Sequence, residues 1–144
     1  MGADEHGASA LCAELSPPGP RFVLPDTDGL LVHTNHFLDP VAAAGDQEPR
    51  RGPDSYLRLD VLRRALSGHR ELDRDAVVAA MASHLGGSGA VCCHPATGAG
   101  LGERWATLVT VALDVRAGTL SARVGGPCAT TSPWQEPPPA AVRT

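Results

Sequence analysis

From Trp105 to Val115 apolar and polar side chains alternate, with Thr107, Val109, Val111, Leu113 and Val115 sharing one face. Successive strand residues point to opposite sides of a sheet, so this period of two is the mark of a half-buried strand. Arg116-Ala117-Gly118 supplies a turn, and Thr119 to Val124 returns as a second strand, giving a hairpin. A hairpin with one apolar face needs other elements to cover that face.

Three short segments come first. Ala8 to Leu15 reads as a strand, Ser16 to Pro20 as a turn, Arg21 to Leu24 as a second strand and Pro25 to Gly29 as another turn. Leu30 to His33 is an apolar run between turn signals, the pattern of a buried strand. Asp39 to Pro53 is a polar loop. A helix follows, capped by Asp54 or Ser55, with Leu59, Leu62 and Leu66 at helical spacing and Gly68 at its end. Asp73 caps a second helix, whose stripe is Val77, Val78, Met81 and Leu85, with Gly86 and Gly87 ending it. Leu59, Leu62, Val78 and Met81 are expected to pack inward. Ala90 to Cys93 reads as a small-residue strand ahead of the hairpin. Strands and helices are thus segregated, which is α+β with mostly antiparallel strands and two central helices.

At 144 residues the chain is expected to form one domain. Residues 1–7 are expected to form a disordered start, 8–128 the folded part, and 129–144, rich in proline, a disordered tail. Aromatics make up only 3% of the residues, so the core falls to Leu, Val and Ala. A net charge of -4 leaves no basic surplus for phosphates, which argues against nucleic acid as a partner. No secretion signal and no run of roughly 20 apolar residues is visible, so no membrane is expected and the location is read as cytoplasmic. Cys12, Cys92, Cys93 and Cys128 are then reduced, and none stands in C-x-x-C spacing.

The segment His33-Thr34-Asn35-His36-Phe37-Leu38-Asp39-Pro40 admits several chemistries. His33 and His36, with Cys92, Cys93 and His94, could bind a metal, but H-x-x-H shares a face on a helix and this pair follows a strand. Metal-dependent hydrolysis is therefore the weakest reading, and no metal and no cofactor are expected. The alternative is that both histidines hydrogen-bond around a turn. None of the cysteines stands in a pattern that activates a nucleophile, and no serine lies in G-x-S-x-G. Asn35, at a strand end, either bonds its own backbone in an Asx turn or offers its side-chain N–H to an oxyanion.

Four segments in order carry a resemblance: Asp28 to Pro40, Ser55 to Leu66, Leu72 to Pro95 and Trp105 to Cys128. Together they resemble the C-terminal part of the acyl-coenzyme A:6-aminopenicillanic acid acyltransferase family, cysteine N-terminal-nucleophile hydrolases. The resemblance implies part of an αββα sandwich, two antiparallel sheets between helix layers. It implies a cysteine freed by self-cleavage, whose α-amine serves as base. In that pattern Asn35 is the oxyanion-hole candidate, and His33, His36 and Cys93 are substrate-binding candidates. Cys93 stands where many relatives carry an arginine, in Cys92-Cys93-His94-Pro95.

The family's Gly-Cys cleavage segment is not in this sequence. The chain is therefore expected to be a C-terminal fragment or subunit of an acyltransferase or amidohydrolase, inactive alone. Its partner would be a complementary N-terminal half carrying the nucleophile, and its substrate an acyl-coenzyme A or an amide. The competing reading is a noncatalytic remnant or protein-interaction module.

Overall fold

The computed structural model describes residues 2–4, 7–69 and 71–136. Among the described residues, three antiparallel hairpins punctuate the chain: β1 (Gly2–Asp4) with β2 (Gly7–Ser9), β3 (Cys12–Ser16) with β4 (Gly19–Val23), and β5 (Val109–Asp114) with β6 (Thr119–Val124). Between the second and third lie α1 (Pro40–Ala43), α2 (Glu48–Arg51), α3 (Asp54–Leu66), α4 (Arg74–Met81) and a 3-10 turn at Gly87–Gly89. The fold is α+β with antiparallel strands.

The third hairpin forms as expected, with Val109 opposite Val124, Val111 opposite Ala122 and Leu113 opposite Leu120. Gly118 makes its turn possible, since its φ of 66° lies in the left-handed region. The hairpin starts later than the alternation suggested, because Thr107 is engaged by Cys93: the Thr107 N–H donates to the Cys93 carbonyl and the Thr107 hydroxyl accepts from the Cys93 N–H.

α3 buries Leu59, Leu62 and Leu66, as their spacing requires, and packs against α4 and the 3-10 turn. Its cap differs from expectation. Pro53 occupies the cap position without a side-chain bond, and Ser55 turns inward to a different task. Asp73 does cap α4, accepting from the Ala76 N–H at 2.8 Å. Val78 and Met81 are only half-buried. α4 stops at Met81, well before Gly86, because Ser83 bends the chain: its hydroxyl accepts from the Leu85 N–H and its carbonyl from the Cys92 N–H.

Two expected strands are absent. Leu30 to His33 has no ladder partner among the described residues, and its entry is fixed by Asp26, which bonds Leu30 through both backbone and carboxylate. An apolar run becomes a strand only when a neighbouring strand pairs with it. Ala90 to Cys93 is likewise irregular, its backbone bonds going to Ser83 and Thr107 one at a time.

The apolar face of the third hairpin is the chief departure. Thr110 and Arg123, on the opposite face, are the buried residues, while Val109, Val111 and Leu113 stay half or more exposed. Part of this face forms one wall of an open groove of about 710 Å³, whose other wall is Val77, Val78 and Met81 of α4. The chain exposes 10347 Å² for its 14.9 kDa, whereas a compact domain of that mass exposes about 7000 Å².

Of the proline-rich tail, residues 137–144 lie outside the described residues. Before them, Gln135 and Ala122 exchange backbone bonds of 2.8 Å. The Trp134 ring lies under two guanidinium groups, Arg74 at 4.8 Å and Arg123 at 4.9 Å, so it joins α4 to β6. No helix among the described residues is long and apolar enough to cross a membrane.

Candidate functional site

The segment from His33 to Asp39 is irregular backbone, which leaves its N–H groups without ladder or helix partners. Side chains from three directions satisfy them. Ser55 Oγ of α3 accepts from the N–H of Asn35 at 2.9 Å and of His36 at 3.1 Å. Asp46 accepts from the Phe37 N–H at 3.0 Å. Glu14 of β3 accepts from the N–H of Leu38 at 2.6 Å and of Asp39 at 3.0 Å. Five consecutive amides are thereby fastened to side-chain oxygens. Asp39 in turn caps α1, accepting from Val41 and Ala42.

Glu14 is the anchor of this arrangement, its side chain only 1% exposed. Burial alone would push its carboxyl up. The Leu38 and Asp39 amides and the His33 ring outweigh that and hold it below the ordinary carboxylate value. His33 sits between two acceptors, with Nε2 2.7 Å from Glu14 and Nδ1 2.6 Å from the Thr34 carbonyl. Asp46 is also held low, first by the Glu48 amide and also by that of Phe37, against the opposing pull of burial.

His36 behaves oppositely. It is buried, stacked on Tyr56 with centroids 3.8 Å apart, and its Nδ1 lies 2.9 Å from Ser55 Oγ. Ser55 Oγ already accepts two amides, so a protonated Nδ1 would bring it a third donor. The neutral ring, accepting from the Ser55 hydroxyl in competition with Thr34 Oγ1 at 3.1 Å, fits. Burial lowers the His36 pKa, in agreement.

Asn35 is exposed at the crest of this fastened turn. It is not closed on its own backbone as an Asx turn would require: its Oδ1 accepts from Arg58 Nη2 of α3 at 2.9 Å. Arg58 is itself steadied by Asp54, one helical turn earlier, at 3.7 Å. With Oδ1 occupied, the side-chain N–H₂ is the group left to engage a ligand. Asn35, His33 and His36 line neither of the two described grooves. Cys93 is elsewhere, its thiol donating to the Ser88 and Trp105 carbonyls. The structure thus joins His33, Asn35 and His36 through Glu14, Ser55 and Arg58, and bonds Cys93 to different partners.

A second constellation keeps Cys92 and His94 from the metal candidates of the sequence and joins them to His84 and Cys128, which the sequence did not single out for it. His84, Cys92, His94 and Cys128 bring one donor atom each to within 4.8 Å of one another. His33 and His36 take no part in it. His94 Nε2 lies 3.4 Å from Cys92 Sγ and 3.2 Å from Cys128 Sγ, and the His84 and His94 ring centroids are 5.0 Å apart. Cys92 is fully buried, and that burial raises its thiol pKa, with the Cys128 thiol adding to the rise while the Cys128 backbone N–H opposes it. Gly126 is required here, because a Cβ at that position would stand 2.8 Å from Cys92 Sγ. The legible signal was Cys92-x-His94: in extended chain, residues two apart share a face.

No protein-family model matches the chain, and no curated protein sequence matches it.

Proposed function

We propose that this chain is the oxyanion-stabilising part of an acyl-transfer or amide-hydrolysing protein of the cysteine N-terminal-nucleophile type, completed by a polypeptide that supplies the thiol. The observation that carries the reading is the Asn35 amide. Its carbonyl oxygen is occupied by Arg58, its N–H₂ is left to donate, and its backbone is held by the bonded turn. A donor that needs little reorganisation stabilises developing charge best, and losing one costs roughly 2.7–4 kcal/mol of transition-state stabilisation.

In the proposed cycle the partner's cysteine, its thiol proton taken by its own α-amine, attacks the acyl carbonyl of a thioester or amide. The carbonyl electrons move onto oxygen, where Asn35 Nδ2–H donates. Collapse restores the carbonyl and expels the coenzyme A thiol or amine, which takes its proton from the cysteine's α-ammonium, and leaves the acyl group on cysteine for transfer to water or a second amine. His33 and His36 hold the turn from beneath. Because both are engaged by Glu14 and Ser55, they act as positioning residues. The αββα sandwich and a cytoplasmic setting belong to the same proposal. The half-exposed face of Val109, Val111 and Leu113 and the large exposed surface support a further layer packing over the third hairpin.

The test combines purified chain with a polypeptide presenting an N-terminal cysteine and the first half of such a sandwich, and follows thiol release from an acyl-coenzyme A. Turnover by the pair and none by either alone supports the proposal. Turnover by this chain alone that is abolished by Cys128→Ala overturns it. A second reading, a noncatalytic interaction module, draws on the same exposed hairpin face. It is favoured if the two chains associate and no acyl chemistry follows.

A further inference from the structure

The four side chains His84, Cys92, His94 and Cys128 come from three separate stretches of chain: the bend after α4, the irregular segment before the third hairpin, and the loop after it. We infer that they form a zinc site of the Cys₂His₂ kind. Zinc takes thiolate sulfur at about 2.3 Å and imidazole nitrogen at about 2.0–2.1 Å in tetrahedral array, which puts sulfur and nitrogen about 3.6 Å apart. The two sulfur–nitrogen separations are 3.4 and 3.2 Å, and no pair among the four donor atoms exceeds 4.8 Å. Modest rotation of the two exposed imidazoles closes the set. Soft thiolates with imidazoles select zinc over the hard cations, which prefer oxygen.

The surrounding chain is arranged to bring these atoms together. α4 ends early, and the Cys92 N–H donates to the Ser83 carbonyl, which sets His84 beside Cys92. Gly126 lets the last loop approach Cys92 closely enough for Cys128 to reach the same point. A Cys128–His94 nucleophile pair is the rival arrangement. It lacks a group orienting the other ring nitrogen of His94 among the described bonds, and it leaves His84 and Cys92 unexplained. Loading is balanced: Zn²⁺ displaces one proton from each thiol and accepts the lone pairs of two neutral imidazoles, so a charge-neutral centre forms and two protons are released. Four protein ligands leave no open position, so the site is structural. It fastens the end of α4 to the third hairpin, in a chain whose buried apolar residues are few. None of this depends on the acyl-transfer reading.

The experiment titrates Co²⁺ into the reduced, chelator-stripped chain. A thiolate-to-cobalt absorption band that saturates at one equivalent, and is displaced by Zn²⁺, is expected. His94→Ala and Cys128→Ser should each weaken affinity beyond the roughly 10–100-fold typical of losing a supporting residue around a metal. Cys93→Ser, whose thiol faces the Ser88 and Trp105 carbonyls, should leave it unchanged. Zinc should also raise the unfolding midpoint of the wild-type chain. The absence of a saturable band in the wild-type chain overturns the inference, and needs no variant to fold. So does a band that His94→Ala leaves intact or Cys93→Ser removes, or a Cys92–Cys128 disulfide that persists under mild reductant in place of metal.

Discussion

Glu14→Gln changes one atom's worth of shape and reverses its hydrogen bonding. The carboxylate has only acceptor positions, and three donors converge on it: His33 Nε2 at 2.7 Å and the Leu38 amide at 2.6 Å on Oε1, and the Asp39 amide at 3.0 Å on Oε2. A carboxamide keeps one acceptor oxygen and turns the other into a donor. Whichever way it is flipped, at least one buried N–H then faces an N–H. Leaving a buried donor unsatisfied costs roughly 1–3 kcal/mol, and the bonds that survive lose the charge that strengthened them. The sum is about 2–4 kcal/mol, a large share of the ~5–15 kcal/mol by which domains are stable. Urea unfolding of wild-type and variant chains measures it directly from the shift in midpoint at constant slope. A loss under about 1 kcal/mol would refute the claim that Glu14 anchors the turn.

Other outcomes follow from the same network. Stability should fall as the solution is acidified, in two stages. The folded chain resists protonating His36 while the unfolded chain accepts the proton near pH ~6.5, so stability present above that value is lost as pH falls through the lowered folded pKa. Glu14, also lowered, adds a second loss below its ordinary value of about 4.3. A pH series of unfolding midpoints checks both, and a flat profile between pH ~7 and ~5 would count against a buried neutral His36. Trp134→Ala removes two cation–π contacts, about 0.5–1 kcal/mol from the exposed Arg74 and about 2 kcal/mol from the buried Arg123, and should cost about 2–3 kcal/mol while raising amide exchange in α4 and β6. Unchanged exchange in both would mean that Trp134 does not join them.

Local patterns proved readable where a short stretch decides its own conformation. Strict alternation with a left-handed glycine in the turn gave the third hairpin, and the Leu59, Leu62, Leu66 spacing with an Asp73 cap gave the two central helices. What failed depended on neighbours. Leu30 to His33 has a strand's composition and no strand beside it among the described residues. The hairpin's apolar residues were expected inside, yet Val109, Val111 and Leu113 are exposed because alternation fixes two faces without saying which one is covered. Asn35 was identifiable as a candidate from its place in the motif. Its actual partner, Arg58, is 23 residues away and carries no local signal. The same holds for His84 and Cys128, brought to Cys92 and His94 by an early helix end and a close glycine. Ser55 read as a helix cap because serine at a helix start usually is one, whereas here its hydroxyl serves the turn.

The central claim is that the Asn35 side-chain N–H₂ donates to an oxyanion, and Asn35→Asp tests it most directly. Aspartate keeps an oxygen for the Arg58 contact and deletes the donor, so fold and charge stabilisation separate. In the complemented pair, acyl-coenzyme A turnover should fall roughly 100-fold or more, the scale of one such donor. The Michaelis constant should move far less, since the bond strengthens mainly in the transition state. The unfolding midpoint should change little. A pair whose turnover is the same with asparagine or aspartate at position 35 would contradict the account.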